Sequence, residues 1–301
     1  MMYKIPDHIK KWIKDHFENC NSQLANDLST FPGIREEALD NNFISYFSRV
    51  PGPFKLDSNW TIRIDAHFIG GGKHYYNWEV ADIGLILIFR RNGKIIRSKM
   101  AFLQSKKLYP SSIKYIPNDP YLRRGMGRLL VTEDEHKEIV KSRVAKFEEK
   151  SKYKAFKKDS EQQKAMDSFQ KRFEINMYYL FYNPAVLPHE IESPLKERPD
   201  LPENKVGCRV IKKDFLDEAL KIHEPNYTPS YGDIKYMLPS NYFSEGHTGG
   251  WRLEYFVTDL MLECKEGLID DSPNFDTLSE IMSRKTGPIA ASLAITIDLT
   301  E

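Results

Sequence analysis

The chain has 301 residues, of which 41% are hydrophobic, and its 44 basic residues nearly balance its 43 acidic ones. This composition is typical of a folded globular protein and excludes an intrinsically disordered chain. No stretch approaches the roughly 18 consecutive apolar residues of a membrane-spanning helix, and the charged N-terminus lacks the apolar core of a signal peptide. The three cysteines lie far apart, so neither a disulfide framework nor a zinc cluster is predicted. We therefore expect a cytoplasmic protein with reduced thiols.

Two helices and a strand are predicted before the first glycine-rich turn. Amphipathic patterns predict helices over residues 6–17 and 34–47, and a polar loop follows the first of them. Alternating apolar and polar residues predict a strand over residues 60–69. The glycines at 70–72 then predict a mobile turn rather than a phosphate cradle, because the Walker spacing is absent.

A β-hairpin is predicted next. The apolar run at residues 83–89 is too short for a typical helix and is typical of a buried strand. Asn92 and Gly93 follow, and an Asn-Gly pair is the strongest short signal for a hairpin turn. The partner strand is expected over residues 95–106.

The rest of the chain predicts a mixed order of helices and strands. In chain order we expect an irregular segment at 107–130, a charged helical tract at 132–173, a strand at 177–182, a loop or linker at 187–205, a strand at 208–211, helices at 214–223, 251–266 and 275–283, and a strand at 290–299. These elements indicate a mixed α/β fold with one central sheet flanked by helices. We expect a core with N-terminal helices in residues 1–186 and an α/β extension in residues 187–301 packed on the same core.

The hairpin brings together three polar residues suited to phosphate chemistry. Gln104 and Lys106 share one face of the second strand, and Asp82 precedes the first strand. A plain hairpin places Asp82 opposite residue 103, so a one-residue bulge or shifted turn is needed to bring Asp82 to the face of Gln104. Asp82 and the Gln104 carbonyl oxygen are suitable ligands for Mg²⁺, and Lys106 could orient a water or stabilise charge on a phosphate. The simpler alternative is a capped strand start and an exposed strand end with a snorkelling lysine.

This pattern resembles the PD-(D/E)XK nuclease superfamily, in the Mrr-like variant where glutamine replaces the second acid. The segments WEVADIGLILIF and MAFLQSKKL look like the "GAD … VQAKR" core of several defence nucleases, although Val80 stands where that core has glycine. The resemblance spans residues 33–184. It implies a restriction-endonuclease-like fold, Mg²⁺ or Mn²⁺ as cofactor, and hydrolysis of DNA, with RNA not excluded. It also implies a role in restriction or anti-phage defence, in which a partner subunit or a second copy of the chain could take part.

The superfamily usually adds an acidic residue from an upstream helix. Glu36 lies on the apolar stripe of the second predicted helix and is the preferred third metal-site residue, whereas Glu37 and Glu79 are alternatives. A simpler role for Glu36 is to favour the helix dipole from the first turn. Gln163 is a candidate for the superfamily's helix glutamine.

A basic tract with interleaved tyrosines follows the hairpin. Basic side chains follow a phosphate backbone, so we expect contacts with nucleic acid from this tract; a solvated loop is the alternative. The predicted contacts are Lys107, Lys114, Arg123, Arg124 and Arg128. A different class of function is a catalytically inactive nuclease fold that binds nucleic acid or a partner subunit, because glutamine in place of an acid makes the metal site less anionic.

Overall fold

The computed structural model describes residues 5–69, 80–116, 142–193, 199–200, 202–237, 249–270 and 289–300. Its helices are α1 (Asp7–Thr30), α2 (Glu36–Ser48), α3 (Glu161–Phe173), α4 (Lys213–Leu220), α5 (Tyr231–Met237) and α6 (Leu253–Tyr255), the last continuing as a π-helical segment at Phe256–Met261. Its strands are β1 (Phe54–Lys55), β2 (Trp60–Phe68), β3 (Ala81–Arg91), β4 (Lys94–Lys107), β5 (Ser112–Ile116), β6 (Ser142–Phe147), β7 (Met177–Tyr182), β8 (His189–Ser193), β9 (Arg209–Lys212), β10 (Trp251–Arg252), β11 (Leu268–Asp270) and β12 (Ile289–Leu299).

A large mixed sheet organises the protein. Within the described residues it has nine strands, in the order β1-β2-β12-β3-β4-β7-β9-β10, with β11 pairing β4. The pairs β12–β3 and β4–β7 are parallel, and the other pairs are antiparallel. A small second sheet joins β5, β6 and β8. The predicted mixed α/β class, with a central sheet flanked by helices, is therefore confirmed. Of the helices in the described part of the chain, none has the length and apolar character needed to cross a membrane.

The C-terminal strand lies in the middle of this sheet. β12 pairs with β2 from Ala291 to Leu299 on one side and with β3 from Ile289 to Leu299 on the other. Strands from both sides of the boundary expected at residue 186 therefore belong to one sheet. The extension supplies a central strand of the core rather than a separate layer.

Helices α1 and α2 pack together through aromatic side chains. Phe17 of α1 lies with its ring centroid 4.6 Å from that of Phe47 in α2, and Phe43 lies 5.4 Å from Phe47. All three side chains are fully buried, and burial of such a side chain contributes about 1.5–3 kcal/mol. This packing holds the second half of α2 against α1.

Several predicted segments differ from the structure, among them the segment expected to be irregular at 107–130, which contains β5. α1 continues to Thr30 where a polar loop was expected, because Cys20, Leu24 and Leu28 extend its buried stripe. In the tract predicted as helix over 132–173, β6 occupies 142–147 and the helix begins only at Glu161, because pairing with β5 and β8 overrides the local helical preference of a Lys/Glu-rich sequence. The loop expected at 187–205 contains β8. The helix expected at 275–283 lies outside the described residues.

The β3–β4 hairpin contains the bulge that the sequence argument required. Asn92 and Gly93 have positive φ angles of 50° and 75°, as a tight primed turn demands. Arg90 pairs with Ile95, but Phe89 pairs with Arg97, so Ile96 is an extra residue in β4. Beyond the bulge Ile83 pairs with Leu103, and the same register places Asp82 opposite Gln104.

Deletion of Ile96 should be well tolerated. It removes the bulge, so the pairs on both sides of it form one regular ladder and every other residue of β4 keeps its partner and its face. We expect the free energy of unfolding to fall by about 1 kcal/mol or less, since Ile96 is partly exposed. Deletion of Ala101 is the control: it reverses the faces of buried residues on one side of the gap and should prevent cooperative folding. Urea unfolding followed by circular dichroism measures both. Equal destabilisation by the two deletions would contradict this account of the register.

Candidate active site

Asp82 and Gln104 meet at the end of the hairpin. The Gln104 side-chain amide donates a hydrogen bond to Oδ2 of Asp82. The same oxygen accepts from the backbone N–H of Ser105 at 2.7 Å and from the Ser105 hydroxyl at 2.8 Å. The β3–β4 ladder ends at the Ile83–Leu103 pair, and beyond it the Asp82 carboxylate, rather than a backbone carbonyl of β3, accepts the Ser105 N–H. Both predicted residues therefore lie together, Gln104 buried and Asp82 half-buried.

Lys106 and Glu36 form the second part of the site. The Lys106 ammonium is 3.5 Å from Oε1 of Glu36, and its side chain is only 3% exposed. Oε2 of Glu36 accepts from the backbone N–H of Lys107 at 2.8 Å. Glu36 is the first residue of α2 and enters from that helix, as its position on the apolar stripe predicted. Glu37 is exposed, but its charge still acts on Asp82.

Asp40 belongs to the same site and was missed by the sequence argument. It lies one helical turn after Glu36 on α2, and its Oδ2 is within hydrogen-bond distance, 2.9 Å, of the Ser105 hydroxyl oxygen. Its Oδ1 accepts from the Tyr182 hydroxyl at 2.7 Å. The i, i+4 spacing from Glu36 was a signal for Asp40. No local pattern could indicate Tyr182, which arrives through the parallel pairing of β7 with β4. We call these side chains the Asp82 cluster: Glu36, Asp40, Asp82, Gln104, Ser105, Lys106 and Tyr182.

Carboxyl groups outnumber ammonium groups in the Asp82 cluster. Burial raises the pKa of Asp82, although Lys106 and the Ser105 hydrogen bonds oppose it. Burial likewise raises the pKa of Glu36, against the attraction of Lys106. The pKa of Asp40 lies well above its usual range, first because of burial and then because of the charge of Asp82. The cluster thus contains three carboxyl groups and one ammonium, and an additional cation would stabilise the ionised carboxylates.

The donor set of the cluster fits a Mg²⁺-sized ion. Mg²⁺ is usually held by one or two carboxylates, with water and substrate phosphate completing its shell. Asp82 and Glu36 are such carboxylates, and Gln104 carries an amide oxygen. Among the described residues, no group of three or more histidine, cysteine, aspartate or glutamate side chains has the arrangement of a metal site. The fit therefore depends on two acids and an amide rather than on a cage of acids.

Lys107 holds a loop in place. Its side chain is 2% exposed, and its ammonium donates to the carbonyl of Pro32 at 2.8 Å and to that of Ile34. These carbonyls belong to the segment between α1 and α2, so Lys107 fixes the loop that leads into Glu36, the first residue of α2. Burial lowers the pKa of Lys107 to about 8, although Glu36 opposes this. This position favours a structural role over the predicted contact with nucleic acid.

Two further lysines after the hairpin are exposed. Lys114 is exposed on β5, as a contact with nucleic acid requires. Lys154 is also exposed, and its ammonium lies 5.5 Å from the ring centroid of Tyr109. The pKa of Tyr109 is raised by burial and by the charges of Glu36 and Glu37, so Tyr109 lies near these two acids. The sequence argument did not single out Lys154, because it was expected within a helix.

The remaining predicted residues lie elsewhere. Gln163 on α3 donates to Asp217 and accepts from the backbone N–H of Asp159 at 2.6 Å, and neither partner belongs to the Asp82 cluster. Glu79, Arg123, Arg124 and Arg128 lie outside the described residues.

Comparison with known protein families, with curated proteins and with solved structures gives no match to this chain. Function is therefore inferred from the geometry and chemistry of the Asp82 cluster.

The pH dependence of stability should report the buried Lys107. The unfolded chain keeps the lysine proton up to its ordinary pKa near 10.5, whereas the folded protein loses it near pH 8. Stability rises with pH wherever the unfolded state binds more protons. We therefore expect the free energy of unfolding of the wild type to rise relative to that of Lys107→Met between pH 8 and 10, by up to about 1 kcal/mol per pH unit. Denaturant titrations across this range measure the difference, with the exposed Lys114→Met as control. A difference independent of pH would contradict the burial of this ammonium.

Proposed function

We propose that this protein is a metal-dependent nuclease that hydrolyses phosphodiester bonds, with DNA as its main substrate. The observation that carries the proposal is the meeting of Asp82, Gln104, Lys106 and Glu36 in one cluster at the end of a hairpin. These are the residue types and the order that the PD-(D/E)XK resemblance implies, and the mixed sheet flanked by helices is compatible with a restriction-endonuclease-like fold.

Asp82, Glu36 and Gln104 would hold the metal ion. When bound, Mg²⁺ or Mn²⁺ supplies Lewis-acid stabilisation of the charge that develops on the phosphate. Oδ2 of Asp82 is held by donors from Gln104 and Ser105, whereas Oδ1 accepts no hydrogen bond from a described residue. Oδ1 is thus the oxygen we assign to the ion. Gln104 presents its carbonyl oxygen once its amide group turns over, because in this structure the amide nitrogen faces Asp82.

Lys106 would act on the phosphate or on the attacking water. Its ammonium is held by Glu36 in a position sheltered from solvent, where a fixed charge stabilises a developing anion more strongly than in water. An ammonium has three donors, so one can bond Glu36 while another orients the water or contacts a phosphate oxygen. The proposed role is therefore electrostatic stabilisation and positioning.

The proposed substrate approaches over the exposed lysines. Lys114 and Lys154 lie on segments that follow or flank the end of β4, and both could bind phosphate groups next to the one that is cleaved. DNA is the substrate that the resemblance favours, with RNA a further possibility. The resemblance also leads us to propose a role in restriction or anti-phage defence, together with a partner subunit or a second copy of the chain.

A second candidate is an inactive nuclease fold that binds nucleic acid or a partner. One observation favours it: Gln104 bonds Asp82 and Lys106 bonds Glu36, so each group already has a partner within the protein. The two candidates differ in Mn²⁺ binding and in cleavage of plasmid, linear and single-stranded DNA in the presence of Mg²⁺ or EDTA.

Asp82→Ala should lower the rate of cleavage by about 10³-fold or more, because loss of a metal ligand removes several kcal/mol of transition-state stabilisation. Asp65→Asn is the matched control, since Asp65 is a carboxylate on the same sheet whose described partner is Arg63. Cleavage of labelled DNA under single-turnover conditions measures both variants. Activity of Asp82→Ala within tenfold of the wild type would contradict the assignment of this ligand.

Lys106→Met should separate chemistry from binding. We expect a fall in the single-turnover rate of about 10²-fold, with DNA affinity in EDTA nearly unchanged, because one buried charge contributes little to a distributed phosphate contact. The double variant Lys114→Ala/Lys154→Ala should instead weaken binding and flatten its salt dependence. Fluorescence anisotropy at several salt concentrations provides the binding data. A Lys106→Met protein that loses affinity but keeps its rate would assign Lys106 to binding.

A further inference from the structure

We infer that Asp40 is a positioning residue that acts through the Ser105 hydroxyl to set the gap between Asp82 and Glu36. The inference rests on the proposed function in taking Asp82 and Glu36 as ligands of one ion. It adds a second layer of residues, Asp40, Ser105 and Tyr182, that holds these ligands in place.

The Ser105 hydroxyl joins two carboxyl groups from different parts of the fold. Its Oγ lies 2.8 Å from Oδ2 of Asp82 and 2.9 Å from Oδ2 of Asp40. Ser105 is completely buried, so water does not compete for these bonds. Since its backbone N–H also bonds Asp82 at 2.7 Å, Ser105 fixes the orientation of that carboxylate at two points.

Asp40 is itself held at both oxygens. Oδ2 bonds Ser105 on β4, and Oδ1 accepts from the hydroxyl of Tyr182 at 2.7 Å. Tyr182 is buried and lies beside Lys107 in the parallel β4–β7 pair. Asp40 therefore connects α2 to two adjacent strands at the end of the hairpin.

This connection controls the proposed ligands because Glu36 and Asp40 share one face of α2. A shift or rotation of the first turns of α2 would move Glu36 relative to Asp82, and the bonds of Asp40 oppose that shift. Both oxygens of Asp40 have hydrogen-bond partners within the protein, which distinguishes it from Asp82, whose Oδ1 accepts no bond from a described residue. The Ser105 hydroxyl has one hydrogen, so when it donates to Asp82 its oxygen accepts from a protonated Asp40, in keeping with the raised pKa of Asp40. Asp40 is accordingly assigned to positioning rather than to the ion.

An asparagine at position 40 can replace both bonds, since its amide nitrogen can donate to Ser105 and its oxygen can accept from Tyr182. It carries no negative charge, so it would hold a cation less tightly than a ligating carboxylate. Asp40→Asn therefore distinguishes positioning from ligation, whereas Asp40→Ala and Ser105→Ala each break the connection.

The experiment measures Mn²⁺ affinity by electron paramagnetic resonance of the free ion, together with kcat and KM for cleavage of a DNA duplex. We expect Asp40→Asn to stay within about threefold of the wild type in Mn²⁺ affinity. Asp40→Ala and Ser105→Ala should each weaken Mn²⁺ binding by about 10- to 100-fold, which is the usual effect of removing a residue that hydrogen-bonds a metal ligand. Each should also lower kcat with little change in KM. The double variant Asp40→Ala/Ser105→Ala should be no weaker than the weaker single one, because both break the same connection. Asp65→Asn is again the control.

The possible outcomes separate this inference from the proposed function. If Asp40→Asn weakens Mn²⁺ binding as much as Asp82→Asn does, Asp40 is a ligand and the positioning role is wrong. If the wild type binds Mn²⁺ and Ser105→Ala binds it equally well, the connection through Ser105 has no role, although the nuclease proposal stands. A folded wild type that binds no Mn²⁺ and cleaves no DNA overturns both. Thermal unfolding of each variant identifies any that fail to fold, and Asp40→Asn and Ser105→Ala then decide the matter without Asp40→Ala.

Discussion

The register of the β3–β4 hairpin determines which side chains can meet at its end. The Asn92–Gly93 turn alone would place Asp82 opposite Leu103, on the other face from Gln104 and Lys106. The extra residue Ile96 moves the register by one and places Asp82 opposite Gln104. Because side chains alternate along a strand, the bulge that accommodates this extra residue is what lets Asp82 and Gln104 share a face with the number of residues present between them.

Assembly of this cluster removes ionisable groups from water, which is energetically unfavourable. Asp82, Glu36 and Asp40 all have raised pKa values, mainly because they are removed from water, and Lys106 offsets only part of their negative charge. A fold retains such groups when their interactions with one another or with a ligand stabilise them. A bound cation would do so here, and the raised pKa values are in keeping with the proposed chemistry.

The cluster depends on parts of the chain that are distant in sequence. α2 supplies Glu36 and Asp40, the hairpin supplies Asp82 and Ser105, and β7 supplies Tyr182. β12 lies between β2 and β3 in the same sheet, so the C-terminal segment supports the strand that carries Asp82. A truncation that removes β12 would expose both neighbouring strands.

The sequence by itself determined the hairpin, its turn, the helix that brings Glu36, and the shared face of Gln104 and Lys106, because strand alternation, Asn-Gly turns and helical stripes are local. It also determined that Asp82 needed a bulge, but not that Ile96 would form one. Only the tertiary structure brought in Asp40 and Tyr182, turned Lys107 into the interior, and placed β12 at the centre of the sheet. It also made strands of 142–147 and 189–193, where local charge and proline content favoured helix and loop. These features depend on pairing between distant segments, and local propensity carries no information about which segments will pair.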